Sequence, residues 1–411
     1  MVAPTTVRAV NTMTARWARA TAEDGGAERS TVLTAAGVWP LLALLAGPAH
    51  GPARAELSAA LGVPAESAAA AGRELLAALD AAPGVRAAVG LWARRTLELR
   101  PEWRAELPLD THGELTGDVE ADLAELNAWA ARRTDGMIEK MPPVVGPDTL
   151  FVLASALVAR TTWCEPFTET LLAPQAGPWS DRRLAGLVRS GSLHDLLAVH
   201  STPYGPLTRL RVEGDNGLDA HLLLGAEDRA AGEVLEAGIA ALDGAYATTY
   251  GKALPVGDAV APGVSVSTVP SWDGDPTLVV RSVSFTVGAD HDLRERAALF
   301  GLESALDTAH GHFPGISAYP LAVSAARQSA TATFGPLGFR AAAVTAVAAA
   351  PGGAPRTPQH RARRAEARFD RPFGFLAVQR GTGLVVAAGW VAEPPVSPPA
   401  AVPAGGRGFP G

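Results

Sequence analysis

Apolar positions recur at helical spacing through the first third of the chain, then alternate or run unbroken through the rest. Residues 11–47 predict two helices. Asn11 and Thr12 offer a cap for the first, and Val38, Leu41, Leu42 and Leu45 stripe the second. Pro48 to Pro52 break the pattern, residues 53–61 resume it, and Gly62 supplies a stop. Residues 67–81 form a further alanine-rich helix and 85–92 a strand. Over 122–133, Leu123, Leu126 and Ala130 mark an amphipathic helix that closes near Gly136.

The centre changes character. Residues 150–159 are continuously apolar, as in a strand buried on both faces. Leu207, Leu210 and Val212, then 218–224, frame a turn at Gly214-Asp215-Asn216-Gly217. Val264, Val266 and Val269 alternate, as do Val280, Val283 and Phe285. A short helix is expected over 292–300 and strands over 321–324 and 329–334. Residues 373–378 and 384–390 make a hairpin around Gly381-Thr382-Gly383. Helices early and strands late argue an α+β fold. No interior linker divides it, so one domain is expected. Pro, Gly and Arg over 351–368 predict an unpacked segment, and the Pro/Gly-rich stretch 394–411 a disordered tail.

Composition narrows the function. A hydrophobic fraction of 47% with 19% charged residues provides ample core material. A net charge of −7 gives no general attraction to nucleic acid. The most apolar short run, 39–47, is too short to span a bilayer. No charged n-region followed by an apolar h-region occupies residues 1–20, so a cytoplasmic, unanchored protein is expected, with secretion by another route left open. The single cysteine, Cys164, rules out an internal disulfide framework and reads as a small buried hydrophobe beside Trp163.

Catalytic motifs are missing. The chain has no Gly-x-Ser-x-Gly elbow, His-Glu-x-x-His or Gly-x-x-x-x-Gly-Lys. His194-Asp195 and His200 lie near serines, which nine histidines in 411 residues produce by chance. His310 and His312 offer half a metal site without an evident third ligand. No catalytic residue, cofactor or metal is therefore expected. The basic run Arg361, Arg363, Arg364, Arg368 and Arg371 reads as a solvated loop, with a polyanion patch as the alternative.

Five collinear stretches carry a resemblance. They are Leu126-Asn127-Ala128-Trp129 with Thr134-Asp135-Gly136-Met137-Ile138, and Asp148-Thr149-Leu150 through Ser155-Ala156 to Trp163 and Pro166-Phe167. Leu299-Phe300-Gly301-Leu302 with Phe313-Pro314-Gly315-Ile316-Ser317 is the third. Gly338 with Ala341-Ala342-Ala343-Val344-Thr345-Ala346-Val347 follows. Phe369-Asp370-Arg371-Pro372-Phe373, with Thr382-Gly383 and Gly389, closes the series. Together they resemble the serpin (serine protease inhibitor) family, and the chain is identified as similar to a bacterial-type serpin over roughly residues 8–394.

The resemblance implies one α+β domain over 1–393, a helical layer on three β-sheets, with an exposed reactive loop at about 336–368. It implies a suicide inhibitor of a serine protease. The protease cleaves the loop, the loop enters the central sheet as a new strand, and the acyl-enzyme is distorted before it can hydrolyse. The partner is the target protease, held covalently. The free protein is expected to be a monomer able to form loop–sheet polymers, with no membrane or specific nucleic-acid partner.

The implied hinge comprises Gly338, Phe339, Arg340, Ala341, Ala342, Ala343, Val344 and Thr345. Alternate side chains, Phe339, Ala341, Ala343, Thr345, Val347 and Ala349, would point inward on insertion. Counting from Gly338 places the scissile bond at Gly352-Gly353; counting back from Phe373 places it near Arg361, with Arg356 between. Asn127, Trp129, Trp163, Phe369, Asp370, Arg371, Pro372 and Phe373 are fold-signature residues, the two tryptophans packing near the top of the central sheet. Phe339 replaces a small Thr or Ser, Pro336 and Leu337 replace acidic residues, and Gln328 stands where a His is usual. A Phe entering a gap sized for Thr overpacks it by about 1–3 kcal/mol. These departures support the alternative, a non-inhibitory binding or folding-assisting protein that is cleaved without trapping.

Overall fold

The computed structural model describes residues 2–23, 29–108, 111–141, 145–146, 148–193, 195–339 and 359–394. Hinge positions Arg340 to Thr345, candidate scissile positions Gly352, Gly353 and Arg356, and the tail from 395 lie outside the described residues.

The N-terminal part forms α1 (Pro4–Glu23), β1 (Thr31–Leu33), α2 (Ala35–Ala46), α3 (Gly51–Leu61) and α4 (Ala65–Ala81). Asn11 does not cap a helix. It is buried inside α1, its amide donating to Gly383 O and accepting from Val385 N–H at 3.0 and 2.9 Å. A polar residue inside a helix carries no sequence sign of a partner more than three hundred positions away. Thr34 caps α2 instead, accepting from Gly37 N–H, and Gly62 ends α3 at a φ of 68°.

Next come β2 (Val85–Arg94), α5 (Pro101–Glu106), β3 (His112–Leu115), α6 (Val119–Arg133), β4 (Phe151–Ala159), β5 (Thr161–Thr162), β6 (Thr168–Leu172) and β7 (Leu184–Ser192). They lead into β8 (Leu197–Thr202), β9 (Gly205–Val212), β10 (Leu218–Leu224), α7 (Ala231–Leu242), β11 (Thr248–Tyr250), β12 (Gly257–Ala261), β13 (Val264–Ser271), β14 (Thr277–Val283) and β15 (Phe285–Asp292). The chain closes with α8 (Ala297–Phe300), β16 (Ala325–Phe334), β17 (Gly338–Phe339), β18 (His360–Arg368), β19 (Phe373–Gln379) and β20 (Leu384–Val391).

Three main sheets result, ordered β1-β20-β19-β10-β9-β8-β11, β12-β13-β18-β14-β7-β6 and β15-β16-β4-β2-β3. β4 is buried at every position, as its unbroken apolar run predicts. The alternating residues around Val283 and Phe285 form two strands, because the chain crosses between sheets at Ser284. Residues 321–324 are not a strand; pairing begins at Ala325.

The largest departure concerns the expected loop, whose last nine residues are strand β18. It pairs antiparallel with β13 and parallel with β14, so backbone bonds secure both edges. Ala362, Ala365 and Ala367 are buried, while Arg363 and Arg364 between them are half-buried and Arg361 and Arg368 are exposed. Alanines bury too little surface to reveal a strand by hydrophobicity, and the arginines leave no apolar alternation along it. Arg361 therefore pairs with Pro270 inside a sheet, and the basic run is not a loop. Cys164 is exposed rather than buried; it lies in the bend after β5, where its N–H bonds Glu213 O while its side chain is left at the surface.

Candidate functional site

In the five-stranded sheet, β4 and β16 are parallel neighbours, paired from Ala325 with Val152 to Thr331 with Val158. Their ladder stops there. Ala332 to Phe334 stay paired only to β15, and Ala159 only to β2. Two strand ends thus part at one end of the seam, leaving backbone groups available to a chain entering between them.

The segment after β16 turns back into that opening. Gly335 N–H bonds Gly338 O at 2.9 Å, and β17 then runs antiparallel to β5, Gly338 opposite Thr162 and Phe339 opposite Thr161. Trp163 N–H reaches Leu337 O at 2.9 Å, and Phe167 N–H reaches Pro336 O at 2.8 Å. Gly338 has to be glycine at this spacing, since a Cβ there would lie 2.1 Å from Thr161 O.

Phe339 is 2% exposed. It stands edge-on to Trp163 at 6.4 Å and tilted against Phe375 of β19 at 6.2 Å. Trp163 packs on Phe334 at 5.0 Å and donates its Nε1–H to Gly335 O at 2.9 Å. Phe334 in turn stacks on Phe285 at 5.4 Å. Nothing in the sequence linked Phe339 to Phe375. Trp163 was legible from its motif, but its partners were not.

The far edge of β5 is braced by the β9–β10 turn. Asp215 N–H donates to Thr162 O and Cys164 N–H to Glu213 O, each at 2.9 Å. The Asn216 amide donates to Arg160 O at 2.8 Å. Asp219, 1% exposed, accepts from Gly214 N–H at 3.1 Å and from Arg380 Nη2 at 2.6 Å. Hydrogen bonding to that carboxylate raises Arg380's pKa further. Arg380→Met leaves the carboxylate without its counter-charge, and the half-exposed arginine sets the scale. A loss of about 2 kcal/mol in urea unfolding is expected; an unchanged midpoint would remove Asp219 from the brace.

Lower in the seam, Gln328 accepts from Thr34 N–H at 3.2 Å and donates to Thr34 O at 2.6 Å, tying β16 to the start of α2. Ser155 of β4 faces Gly37, and its hydroxyl has no partner among the described residues. Trp129 lies on α6 against Gly90 and Trp92, far along β2 from the Trp163 end. Trp163 stands beside the open end of the β4–β16 seam and Trp129 does not, so the two tryptophans do not share the one place expected for them.

The remaining signature residues pack or bond locally. Asn127 accepts from Met141 N–H at 2.8 Å, and Phe369 and Phe373 meet at 5.5 Å. Arg371 donates to Gly225 O. His310 and His312 both approach Asp307, at 2.8 and 3.9 Å, yet no set of three metal-competent side chains occurs among the described residues. No helix is long and apolar enough to cross a membrane among the described residues.

Comparison with known proteins agrees with this architecture. A family model described as Serpin (serine protease inhibitor) matches residues 8–176. A serpin-Z6C sequence of Oryza sativa subsp. japonica is 27% identical over 416 residues, covering 93% of this chain and 95% of that protein. Serpin-ZX of Arabidopsis thaliana is 28% identical over 97 residues, 22% of this chain and 25% of that one. Among solved structures, human glycosylated kallistatin superposes with a TM-score of 0.70 at 17% identity, covering 95% of this chain and 99% of that one. Native protease nexin-1 with heparin gives 0.69 at 15% identity, covering 95% and 99%.

A helical layer on three sheets, with the loop arising at the end of the central one, is the serpin fold. The chain has that fold, and over residues 8–176 it is similar in sequence to the serpin family. Its curated relatives named here are plant serpin-Z proteins, which corrects the bacterial-type attribution. Members of the family are generally non-enzymatic inhibitors, and serine proteases are their typical targets.

Proposed function

We propose that this protein inhibits a serine protease by inserting its cleaved loop between β4 and β16. The observation that carries the reading is the hinge: Gly338 and Phe339 already lie antiparallel to β5 at the open end of the β4–β16 seam. Insertion is then extension of an existing pairing rather than nucleation of a new one, and extension is the cheaper step because the ends are already together. The sheet has five strands and a parallel central pair, so an antiparallel sixth strand adds backbone bonds on both its edges.

The buried Phe339 bears on the rival reading of cleavage without trapping. Overpacking on entry would oppose insertion, but the side chain already occupies a space bounded by Trp163 and Phe375. Because Arg361 is held inside β18, cleavage is assigned upstream of it, and the hinge count favours Gly352-Gly353 over Arg356.

Incubation with subtilisin, elastase and trypsin, followed by denaturing electrophoresis, tests the reading. A band at the summed mass is expected, together with a released peptide that begins between residues 353 and 357. Complete cleavage with undiminished protease activity would establish the non-inhibitory alternative.

A further inference from the structure

The turn joining β13 to β14 displays an indole that the fold does not use. Trp272 is 60% exposed, whereas every other tryptophan of the chain is buried. One exposed apolar side chain means little by itself. This one is set apart by the way it is held and by what lies beside it.

The turn is closed by its own hydrogen bonds. Asp273 accepts from the Ser271 hydroxyl at 2.9 Å and from Asp275 N–H at 3.1 Å. Ser271 Oγ accepts from Gly274 N–H at 3.1 Å, and Gly274 takes a φ of 83°. Leu193 N–H bonds Pro276 O at 3.0 Å, which ties the turn to the end of β7. An aromatic group presented on a turn already closed in this way loses little entropy when a partner covers it.

The turn also stands at the root of the loop. Ser271 pairs with His360, the first residue of β18, and a Cβ on Gly274 would lie 3.5 Å from His360 Cβ. Gly353 precedes His360 by seven residues and Arg356 precedes it by four. At about 3.5 Å per residue, a bond at either place lies within about 25 Å of His360. The tether from Phe339 to Gly352, at thirteen residues, is longer. A protease domain is about 40 Å across. An enzyme with its cleft on that bond is wider than its shorter tether, so the sheet end around His360 and Trp272 is its nearest support.

The charges beside the indole define the partner further. Asp273 and Asp275 flank Trp272 and are exposed. The Asp275 N–H, and then the Ser271 hydroxyl, hold the Asp273 carboxyl below its ordinary range, so it is ionised near pH 7. Arg361, on the neighbouring strand, is turned to Thr268 O at 3.0 Å. An exposed indole between two carboxylates suits a lysine or arginine side chain, whose cation rests on the ring.

We infer that Trp272 is a docking contact for the serine protease that attacks the loop, packing against a basic side chain beside the enzyme's cleft. The inference rests on the proposed cleavage of the loop, and adds to it a point of recognition outside the loop.

The test times loop cleavage of the full chain by trypsin, elastase and subtilisin, taking the second-order rate for the enzyme that attacks fastest. Trp272→Ala is expected to lower that rate about tenfold, the effect of losing one aromatic anchor. The fraction of attacks that end in SDS-stable complex is expected to stay unchanged, because docking precedes insertion. Asp275→Lys is expected to lower the rate about threefold by like-charge repulsion. Tyr319→Ala removes an equally exposed aromatic near Leu99, at the end of the five-stranded sheet away from the hinge, and is expected to change nothing. Equal rates for Trp272→Ala and the parent would overturn the inference, as would an equal loss in Tyr319→Ala. An unchanged or faster rate in Asp275→Lys would overturn the basic partner. Cleavage of the parent without complex would end the inhibitor reading alone, since the rates still report the contact.

Discussion

Phe339→Asp is expected to abolish protease trapping while leaving the loop cleavable. The side chain is 2% exposed between Trp163 and Phe375, with aromatic carbon on both sides. A carboxylate placed there loses its hydration without gaining a partner, a cost of several kcal/mol. In the resting protein the cost is avoided by withdrawing Gly338 and Phe339 from β5, so the fold survives. In the proposed insertion it cannot be avoided, because the same position would be the first to enter the sheet. A penalty of about 3 kcal/mol on that step slows it more than a hundredfold, enough for deacylation to win.

The readout is the ratio of SDS-stable complex to cleaved inhibitor, expected to fall at least about a hundredfold. Phe339→Thr separates charge from size. It gives up aromatic contact but fits the sheet, so trapping is expected to persist with a less stable resting hinge. If the aspartate variant traps as well as the parent, residue 339 does not enter the sheet, and the register of the hinge is wrong.

Acid is expected to destabilise the native fold between about pH 6.5 and 4. The cause is a buried cluster in the seven-stranded sheet. His200 of β8 accepts from Arg209 Nε at 3.0 Å and meets Thr248 Oγ1 at 2.8 Å, and His221 of β10 lies 3.4 Å from Arg209 Nη1. Burial, and then the Arg209 charge, push His200 from 6.5 to about 4, and the same two causes hold His221 well below its ordinary value.

The sign follows from proton counting. Unfolded histidines bind protons near pH 6.5, whereas His200 in the fold waits until about 4. Between those values the unfolded state holds more protons, so the contribution is intact above the window and lost as pH falls through it. At about 1.4 kcal/mol per pH unit, His200 alone accounts for about 3 kcal/mol. His112 and His291, also depressed mainly by burial, act in the same direction. Urea midpoints measured from pH 7 to 4.5 report it. Arg209→Met is expected to shrink the slope without erasing it, because burial remains. A profile flat over that range would show that the cluster is hydrated.

Much of the architecture was legible because the relevant signals are local. The unbroken apolar run gave β4, the spacing of Leu123, Leu126 and Ala130 gave α6, and the residues around Gly381-Thr382-Gly383 gave the closing hairpin. The loop boundary was not legible. In β18, inward alanines carry little hydrophobic signal, and pairing with β13 and β14 holds the strand mainly through backbone bonds.

The sequence by itself determined the kind of fold, the existence of a small-residue segment near the C-terminus and the glycine at its hinge. Those depend on residue type at short range: apolar period, side-chain bulk and the freedom of Gly338. Tertiary structure alone decided where the hinge rests and whether Phe339 is a burden there. A phenylalanine is overpacked or well housed according to its neighbours, and Trp163 and Phe375 come from positions 176 and 36 residues away in the chain. The same holds for Trp92, whose indole lies flat only because Gly113, on another strand, carries no Cβ. Steric fit and hydrogen-bond completion are properties of pairs, and the partners meet only when the sheets have formed.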